Sequence, residues 1–176
     1  MNKAVVLLSG GLDSATVLYY AKKHGYDCHC LAFKYGQRHG KELASAERIA
    51  RAAGCPLQVV SIALPWGGSS LLDRHKKIPV NHNPATSDKL PSTYVPGRNT
   101  IFLSFALSYA ETIKAGTLFI GANAVDFSGY PDCRPVYYGA WKKLLRSLGL
   151  KIGIKAPLLR NLSMRYGDRP PRAEPA

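Results

Sequence analysis

A glycine pair flanked by two serines lies near the start of the chain, in the stretch Leu8-Ser-Gly-Gly-Leu-Asp-Ser14. The apolar run at residues 4–8 predicts a buried strand before it, and the spacing of Val17, Leu18 and Ala21 predicts a helix after it. Glycine lets backbone amides approach a ligand closely, and a helix start adds unpaired N–H groups and the positive end of the helix dipole. The stretch therefore predicts a phosphate or pyrophosphate site; a glycine-rich turn without a ligand is the alternative. It is not a Walker A loop, because Gly-Lys-Ser/Thr is missing.

Two further polar segments follow predicted strands: residues 34–39 come after the strand at 26–33, and residues 121–134 after the strand at 117–121. The remaining predicted strands cover 57–64 and 151–156, and the later helices cover 41–53, 99–114 and 138–148. Strands that alternate with helices predict an α/β fold, a doubly wound parallel sheet of about five strands. Ligands bind beyond the carboxyl ends of such strands, so we expect these segments and residues 9–14 to form one site.

A long irregular segment at 65–97 interrupts this alternation. We expect it to be a lid or binding loop, or to be disordered, and we expect Asn99 to cap the helix that follows. A length of 176 residues fits one domain, which we place at 1–163. Residues 164–176 are rich in Arg and Pro, and we expect them to form a disordered basic tail.

The chain is strongly basic, with 24 Lys and Arg against 11 Asp and Glu and a net charge of +13. Such an excess favours polyanions such as RNA, or anionic small molecules such as ATP. No stretch approaches the roughly 20 apolar residues of a membrane span, and the first residues do not form a signal peptide. The cysteines at 28, 30, 55 and 133 show no C-x-x-C spacing, so neither a disulfide framework nor a zinc knuckle is expected. A reducing cytoplasm is the simplest compartment.

Four motifs occur in a fixed order along the chain. They are Leu8-Ser-Gly-Gly-Leu-Asp-Ser14, Tyr35-Gly-Gln-Arg-His39, Val95-Pro-Gly-Arg-Asn99 and the segment from Gly121-Ala-Asn to Gly-Tyr-Pro-Asp-Cys-Arg-Pro135. Together they resemble the 7-cyano-7-deazaguanine synthases, PP-loop enzymes of the queuosine and archaeosine precursor pathway. The first motif belongs to the whole superfamily, whereas Gly-Tyr-Pro-Asp-Cys-Arg is far narrower. The resemblance implies a PP-loop, adenine nucleotide α-hydrolase-like fold.

The resemblance also implies a reaction. In this family 7-carboxy-7-deazaguanine, ammonia and ATP, with Mg²⁺, give the nitrile: the carboxylate is adenylated and displaced by ammonia, and the amide is activated again and dehydrated. Two other functions stay open. One is another PP-loop tRNA-modifying activity, such as thiolation or lysidine formation, and the other is a non-catalytic nucleotide- or RNA-binding remnant. The narrow Gly-Tyr-Pro-Asp-Cys-Arg motif argues against the first. We do not expect direct nucleic-acid binding, although the charge leaves it open.

The matching positions give candidate site residues. The ATP-binding candidates are Leu8, Ser9, Gly10, Gly11, Leu12, Asp13, Ser14, Ala15, Thr16, Val17 and Leu18. The catalytic candidates are Asp13, Arg98, Asp126, Asp132 and Arg134, where the arginines suit phosphates or carboxylates and the later acids suit a purine-like ring. Asp13 is equally well explained as a ligand that orients Mg²⁺ and as a capping carboxylate. The substrate-binding candidates are Tyr35, Gln37, Arg38, His39, Tyr130, Asp132 and Cys133, of which the histidine and the cysteine have structural alternatives.

The chain departs from the family pattern at several positions. Lys34 and Val136 stand where the family usually has acidic residues. Family members continue into a helix and a four-cysteine zinc site, but no cysteine follows Cys133 and the resemblance stops near residue 163. We therefore expect no zinc and a shortened or frameshifted end. Such an end would impair activity and leave apolar surface for a homodimer to cover.

Overall fold

The computed structural model describes residues 2–36, 41–65, 69, 93–123 and 130–159. The strands are β1 (Asn2–Leu7), β2 (Tyr26–Lys34), β3 (Leu57–Ser61), β4 (Thr117–Phe119) and β5 (Gly153–Lys155). The α-helices are α1 (Leu12–Lys23), α2 (Lys41–Ala52), α3 (Arg98–Ile113) and α4 (Pro135–Ser147), and single 3-10 turns cover Pro131–Cys133 and Pro157–Leu159. Within these residues the five strands form one parallel sheet in the order β3-β2-β1-β4-β5. The prediction of a doubly wound parallel sheet is confirmed.

Helices cover both faces of this sheet. Alternate residues of a strand point to opposite faces, so neighbouring residues of β1 belong to different cores. Val6 is buried in a cluster with Leu18 of α1, on the face that α2 also covers. Val5 is buried in a second cluster, with Leu103 of α3 and Leu145 of α4. The continuous apolar run of β1 is therefore explained by burial on both faces.

The strand order reverses next to β1. From β1 the chain runs outward through β2 to β3, and it then crosses back through α3 to β4 on the other side of β1. In a sheet of this type the helices on the two sides of the reversal diverge, which leaves a crevice at the carboxyl ends of the two central strands. The loop after β1 and the loop after β4 both lie at this crevice.

The prediction that Asn99 caps a helix is wrong. Helix α3 begins one residue earlier, at Arg98, and its N-cap position is Gly97, with a left-handed φ of 67°. Asn99 lies inside the first turn, where its side-chain amide donates to Sγ of Cys133 at 3.7 Å. The left-handed glycine ends the preceding turn and lets the helix start without a side-chain cap.

The other element boundaries agree with the predictions to within three residues. Strand β3 ends at Ser61 rather than at residue 64, and α4 starts at Pro135 rather than at residue 138. Proline is well suited to the first helical position, because the N–H that it lacks has no partner inside the helix. None of the described helices is long and apolar enough to cross a membrane.

Several predicted features lie outside the described residues. They are Gln37, Arg38, His39 and Asp126, most of the long segment at 65–97, and the tail at 164–176.

Candidate active site

A cleft of about 510 Å³ opens at the carboxyl ends of β1, β2 and β4. It is lined by residues of the loop after β1, the end of β2, the starts of α2 and α3, and the loop after β4. The lining residues are Leu7, Leu8, Ser9, Gly11, Leu12, Asp13, Ser14, Leu31, Ala32, Phe33, Tyr35, Glu42, Leu43, Arg98, Asn99, Phe102, Ile120, Gly121, Ala122 and Cys133. The cleft therefore lies at the reversal of strand order, where the sheet topology favours a ligand.

Gly10 fixes the path of the loop between β1 and α1. Its φ is +87°, and a Cβ atom at this position would lie 2.1 Å from the carbonyl oxygen of Glu42. The Gly10 carbonyl oxygen also accepts a 2.9 Å hydrogen bond from Oγ of Ser45 on α2. The residue is thus behind the cleft, and it is needed because the start of α2 packs directly on the loop.

Two hydroxyl groups organise the cleft side of the loop. Oγ of Ser14 donates to the carbonyl oxygen of Gly11 at 2.9 Å and accepts from the backbone N–H of Ser9 at 3.2 Å. Oγ of Ser9 donates to Oγ of Ser14 at 3.1 Å and accepts from the Gly11 amide at 3.4 Å. The first-turn amides of an α-helix have no acceptor inside the helix. In α1 the N-cap residue is Gly11, which has no side chain to accept from them. These amides are donors of the kind that a polyphosphate requires, and each hydroxyl can join them only by turning its O–H away from its present acceptor.

The loop after β4 closes against the same helix start. A Cβ atom on Gly121 would lie 2.9 Å from the backbone nitrogen of Ser14, so only glycine allows this approach. Two residues later, Nδ2 of Asn123 donates a 2.6 Å hydrogen bond to Oδ2 of Asp13. Asp13 lines the cleft, and this contact ties its carboxylate to the neighbouring loop.

An arginine and aromatic rings line the opposite side of the cleft. Nη1 of Arg98 donates to the hydroxyl of Tyr35 at 3.1 Å, and its guanidinium carbon lies 5.9 Å from the centroid of that ring. Phe102 stacks on Phe33 with ring centroids 3.9 Å apart and an interplanar angle of 3°. A guanidinium held in this way can bind a carboxylate or a phosphate through two parallel hydrogen bonds.

Asp132 is buried behind this wall. Burial raises the pKa of its carboxyl above the ordinary value of 3.8, while a hydrogen bond with the backbone of Asn99 and the charge of Arg98 oppose the shift. Its backbone carbonyl oxygen accepts a 3.3 Å hydrogen bond from the hydroxyl of Tyr138. The carboxyl does not line the cleft, whereas the adjacent residue Cys133 does.

The predicted site residues separate into two groups. Those that line the cleft are Leu8, Ser9, Gly11, Leu12, Asp13, Ser14, Tyr35, Arg98 and Cys133. The described candidates that do not line it are Gly10, Ala15, Thr16, Val17, Leu18, Tyr130, Asp132 and Arg134. The candidates of α1 that do not line the cleft are buried in the protein core: Ala15, Thr16, Val17 and Leu18. Arg134 is exposed at the N-cap of α4.

Gly121 and Glu42, which line the cleft, and Asn123, which bonds the lining residue Asp13, are absent from the candidates. Asn123 and Gly121 belong to the quoted Gly121-Ala-Asn motif, but their contacts with α1 span more than 100 positions and could not be read from local spacing. Glu42 adds a second carboxylate to the cleft at the start of α2. No group of three or more His, Cys, Asp and Glu side chains that could hold a metal ion is found among the described residues.

Comparison with known proteins defines the family. The model of the family described as "Queuosine biosynthesis protein QueC" matches residues 3–164. The 7-cyano-7-deazaguanine synthase of Nitrosospira multiformis is 49% identical over 171 residues, which cover 93% of this chain and 72% of that protein. The synthase of the same name from a Cyanothece species is 54% identical over 154 residues, covering 86% of this chain and 67% of the relative.

A solved structure supports the fold independently. NMN synthetase from Francisella tularensis is 16% identical to this chain, with a TM-score of 0.53 over 93% of this chain and 58% of that one. With its five-stranded parallel sheet, its glycine loop at the reversal of strand order and a family match over residues 3–164, the chain belongs to the QueC family of queuosine biosynthesis proteins.

Proposed function

We propose that this chain is an ATP-dependent C–N ligase that converts 7-carboxy-7-deazaguanine and ammonia into 7-cyano-7-deazaguanine. The observation that carries the proposal is the donor-rich loop at residues 9–14, which opens into the cleft of a chain of this family. The reaction needs a site that binds a nucleoside triphosphate next to a carboxylate, and the cleft offers phosphate donors on one side and Arg98 on the other.

The loop at residues 9–14 is proposed to hold the phosphates of ATP. The charge that develops on the departing pyrophosphate is stabilised by donors that are already in place before the reaction. Oγ of Ser9 donates to Oγ of Ser14 at 3.1 Å. Gly11, the N-cap of α1, has no side chain to cap the first-turn amides. The backbone amides are held in place by the helix, whereas each hydroxyl turns its O–H from its present acceptor to the phosphate when ATP binds.

Asp13 is proposed to act on the phosphate side of the same cleft. Its hydrogen bond from Asn123 supports a role in holding the two loops together. A carboxylate here also suits Mg²⁺, which prefers one or two carboxylates plus substrate phosphates, so Asp13 and Glu42 fit a Mg²⁺–ATP complex. When bound, the ion would neutralise charge on the phosphates.

Arg98 is proposed to orient the acid substrate. Its contact with Tyr35 fixes the direction of the guanidinium, and the stacked rings of Phe33 and Phe102 provide an apolar wall for a flat heterocycle. Asp132 is proposed to act indirectly, because its buried carboxyl holds the backbone of Asn99 at the start of α3 and thereby positions Arg98.

The substrates are proposed to be free small molecules rather than a nucleic acid. A cleft of about 510 Å³ lies in the range of small-molecule sites, and it contains the two acidic residues Asp13 and Glu42. If the proposal is correct, unmodified tRNA will not compete with ATP for binding, in spite of the net charge of +13.

A product assay tests the proposal. The protein is incubated with ATP, magnesium chloride, ammonium and 7-carboxy-7-deazaguanine, and the expected products are AMP, pyrophosphate and the nitrile. Ser14→Ala should slow the formation of all three products. Ser147→Ala is the matched control and should leave their rates unchanged, because the Ser147 hydroxyl donates to a helical carbonyl on the exposed side of α4. AMP release that does not depend on the deazapurine acid would contradict the proposal.

A further inference from the structure

Three of the four cysteines lie together, on the face of the sheet covered by α1 and α2. Cys28 and Cys30 belong to β2 and are buried, and Cys30 has an exposed fraction of 0%. Cys55 follows α2 and is partly exposed. The backbone N–H of Cys30 donates to the carbonyl oxygen of Pro56 at 2.8 Å, which holds Cys55 beside β2. None of these three thiols forms a disulfide, and none of them lines the cleft.

A positive charge is fixed next to Cys55. The Cys55 thiol donates to the carbonyl oxygen of Ala53 at 3.5 Å, and Nζ of Lys22 on α1 donates to the same oxygen. The backbone N–H of Cys55 donates to the carbonyl oxygen of Ala50 at 2.9 Å, which anchors the residue to the end of α2. The thiol and the ammonium group thus share one acceptor across the gap between two helices.

The two neighbouring thiols differ in their acidity. A hydrogen bond from the Cys30 thiol lowers the pKa of Cys55 to about 7, and Lys22 acts in the same direction, against burial and the charge of Asp27. The same hydrogen bond, together with burial, raises the pKa of Cys30. Cys55 is therefore the more acidic thiol of the pair, and Cys30 holds its proton more tightly.

We propose that Cys55 is a site of thiol–disulfide exchange with small-molecule disulfides, and that Cys30 resolves the resulting mixed disulfide. The Cys55 thiolate attacks one sulfur of a disulfide RSSR, so that a protein–SR bond forms and RS⁻ leaves. Once Cys55 is part of the mixed disulfide, the interaction with Cys55 that raised the pKa of Cys30 is removed. The RS⁻ that left takes the Cys30 proton, the Cys30 thiolate attacks Sγ of Cys55, and a second RS⁻ leaves. In total, two protein thiols and RSSR give one protein disulfide and two RSH.

The expected rate advantage of Cys55 is modest. About half of a thiol with a pKa near 7 is ionised at pH 7, compared with about 3% for a free cysteine with a pKa near 8.5. The lower basicity of that thiolate reduces its nucleophilicity by about fivefold. Cys55 should therefore react about threefold faster than a free cysteine, while the thiols of Cys28 and Cys30 react much more slowly.

The test uses the aromatic disulfide 5,5′-dithiobis(2-nitrobenzoate) at pH 7, in slight molar excess over the intact 176-residue chain. We expect one thionitrobenzoate ion per chain to be released in a fast phase and a second in a slower phase, because Cys30 is buried. Peptide mapping should then locate a bond between Cys30 and Cys55. Cys30→Ser should release only one and retain the adduct on Cys55. Cys28→Ser is the matched control, because it removes a buried thiol of the same strand and should behave like the native chain.

Two results would overturn the proposal. One is a native chain that keeps a stable adduct instead of forming the disulfide. The other is a fast-reacting thiol that persists in Cys55→Ser. Peptide mapping of the native chain needs no variant, so it gives a decision even if Cys30→Ser does not fold. The site is remote from the cleft, and its test is independent of the ligase activity.

Discussion

The side-chain amide of Asn123 donates a 2.6 Å hydrogen bond to the carboxylate of Asp13, and it thereby joins the loop after β4 to the first turn of α1. The two residues lie on opposite sides of the reversal of strand order, 110 positions apart in the sequence. A hydrogen bond to a charged group contributes about 1.5–3 kcal/mol. This contact therefore fixes the position of the loop after β4 relative to the start of α1.

The first prediction concerns this pair. Asp13→Asn and Asn123→Ala should each weaken ATP binding by roughly 10- to 100-fold, which corresponds to the loss of one charge-assisted hydrogen bond. Isothermal titration calorimetry measures the change, and Glu111→Gln, on the exposed side of α3, is the control. Affinities equal to that of the native chain in both variants would remove Asp13 and Asn123 from the site.

The second prediction concerns the close approach of Gly121 to α1. Gly121→Ala should push the loop away from the Ser14 amide, lowering the unfolding free energy by about 1–3 kcal/mol and weakening ATP binding. Gly116→Ala is the matched control, because a Cβ atom there would meet no atom within 4 Å. Thermal melts and ATP titrations of both variants check this, and equal behaviour of the two would show that the approach is not needed.

The third prediction concerns the arginine at the start of α3. Arg98→Lys keeps the charge but loses the planar fork, so it should raise the KM for 7-carboxy-7-deazaguanine by about tenfold or more. Tyr35→Phe removes only the hydroxyl that accepts from Arg98, and a smaller rise is expected. Steady-state kinetics with the acid as the varied substrate measure both. Arg146→Lys, on the exposed side of α4, should have no effect, and a rise in KM equal to that of Arg98→Lys would refute a specific role.

The fourth prediction is a pH dependence of stability. Because burial raises the pKa of Asp132, the native state favours the protonated carboxyl, and this contribution is lost as the pH rises from 3.8 through the raised value. Asp132→Asn keeps an acceptor for the Asn99 backbone without the buried charge. The melting temperature of the variant relative to the native chain should therefore increase from pH 3.5 to pH 7. A difference that shrinks over this range would contradict the assignment.

Much of the architecture could be predicted from the sequence, because hydrophobic periodicity and glycine placement are local signals. The alternation of strands and helices, and the position of residues 9–14 at the carboxyl end of β1, follow from such signals. Contacts between distant segments leave no local pattern. This is why the approach of Gly121 to Ser14 and the thiol pair of Cys30 and Cys55 were not predicted.

The Asn99 prediction failed for a related reason. Asparagine is a good N-cap by type, but α3 begins at Arg98, directly after the left-handed Gly97. The side-chain amide of Asn99 donates to Sγ of Cys133 instead. The preference of a residue type decides a helix start only where the surrounding backbone leaves the choice open.

The most direct test of the central claim follows an oxygen atom. The account requires the carboxylate of 7-carboxy-7-deazaguanine to attack the α-phosphate of ATP, so that AMP leaves with a substrate oxygen. With acid labelled with ¹⁸O in its carboxylate, mass spectrometry of the products should find the label in AMP and none in pyrophosphate. Unlabelled AMP, or ADP formed together with labelled phosphate, would contradict adenylation of the substrate by this protein.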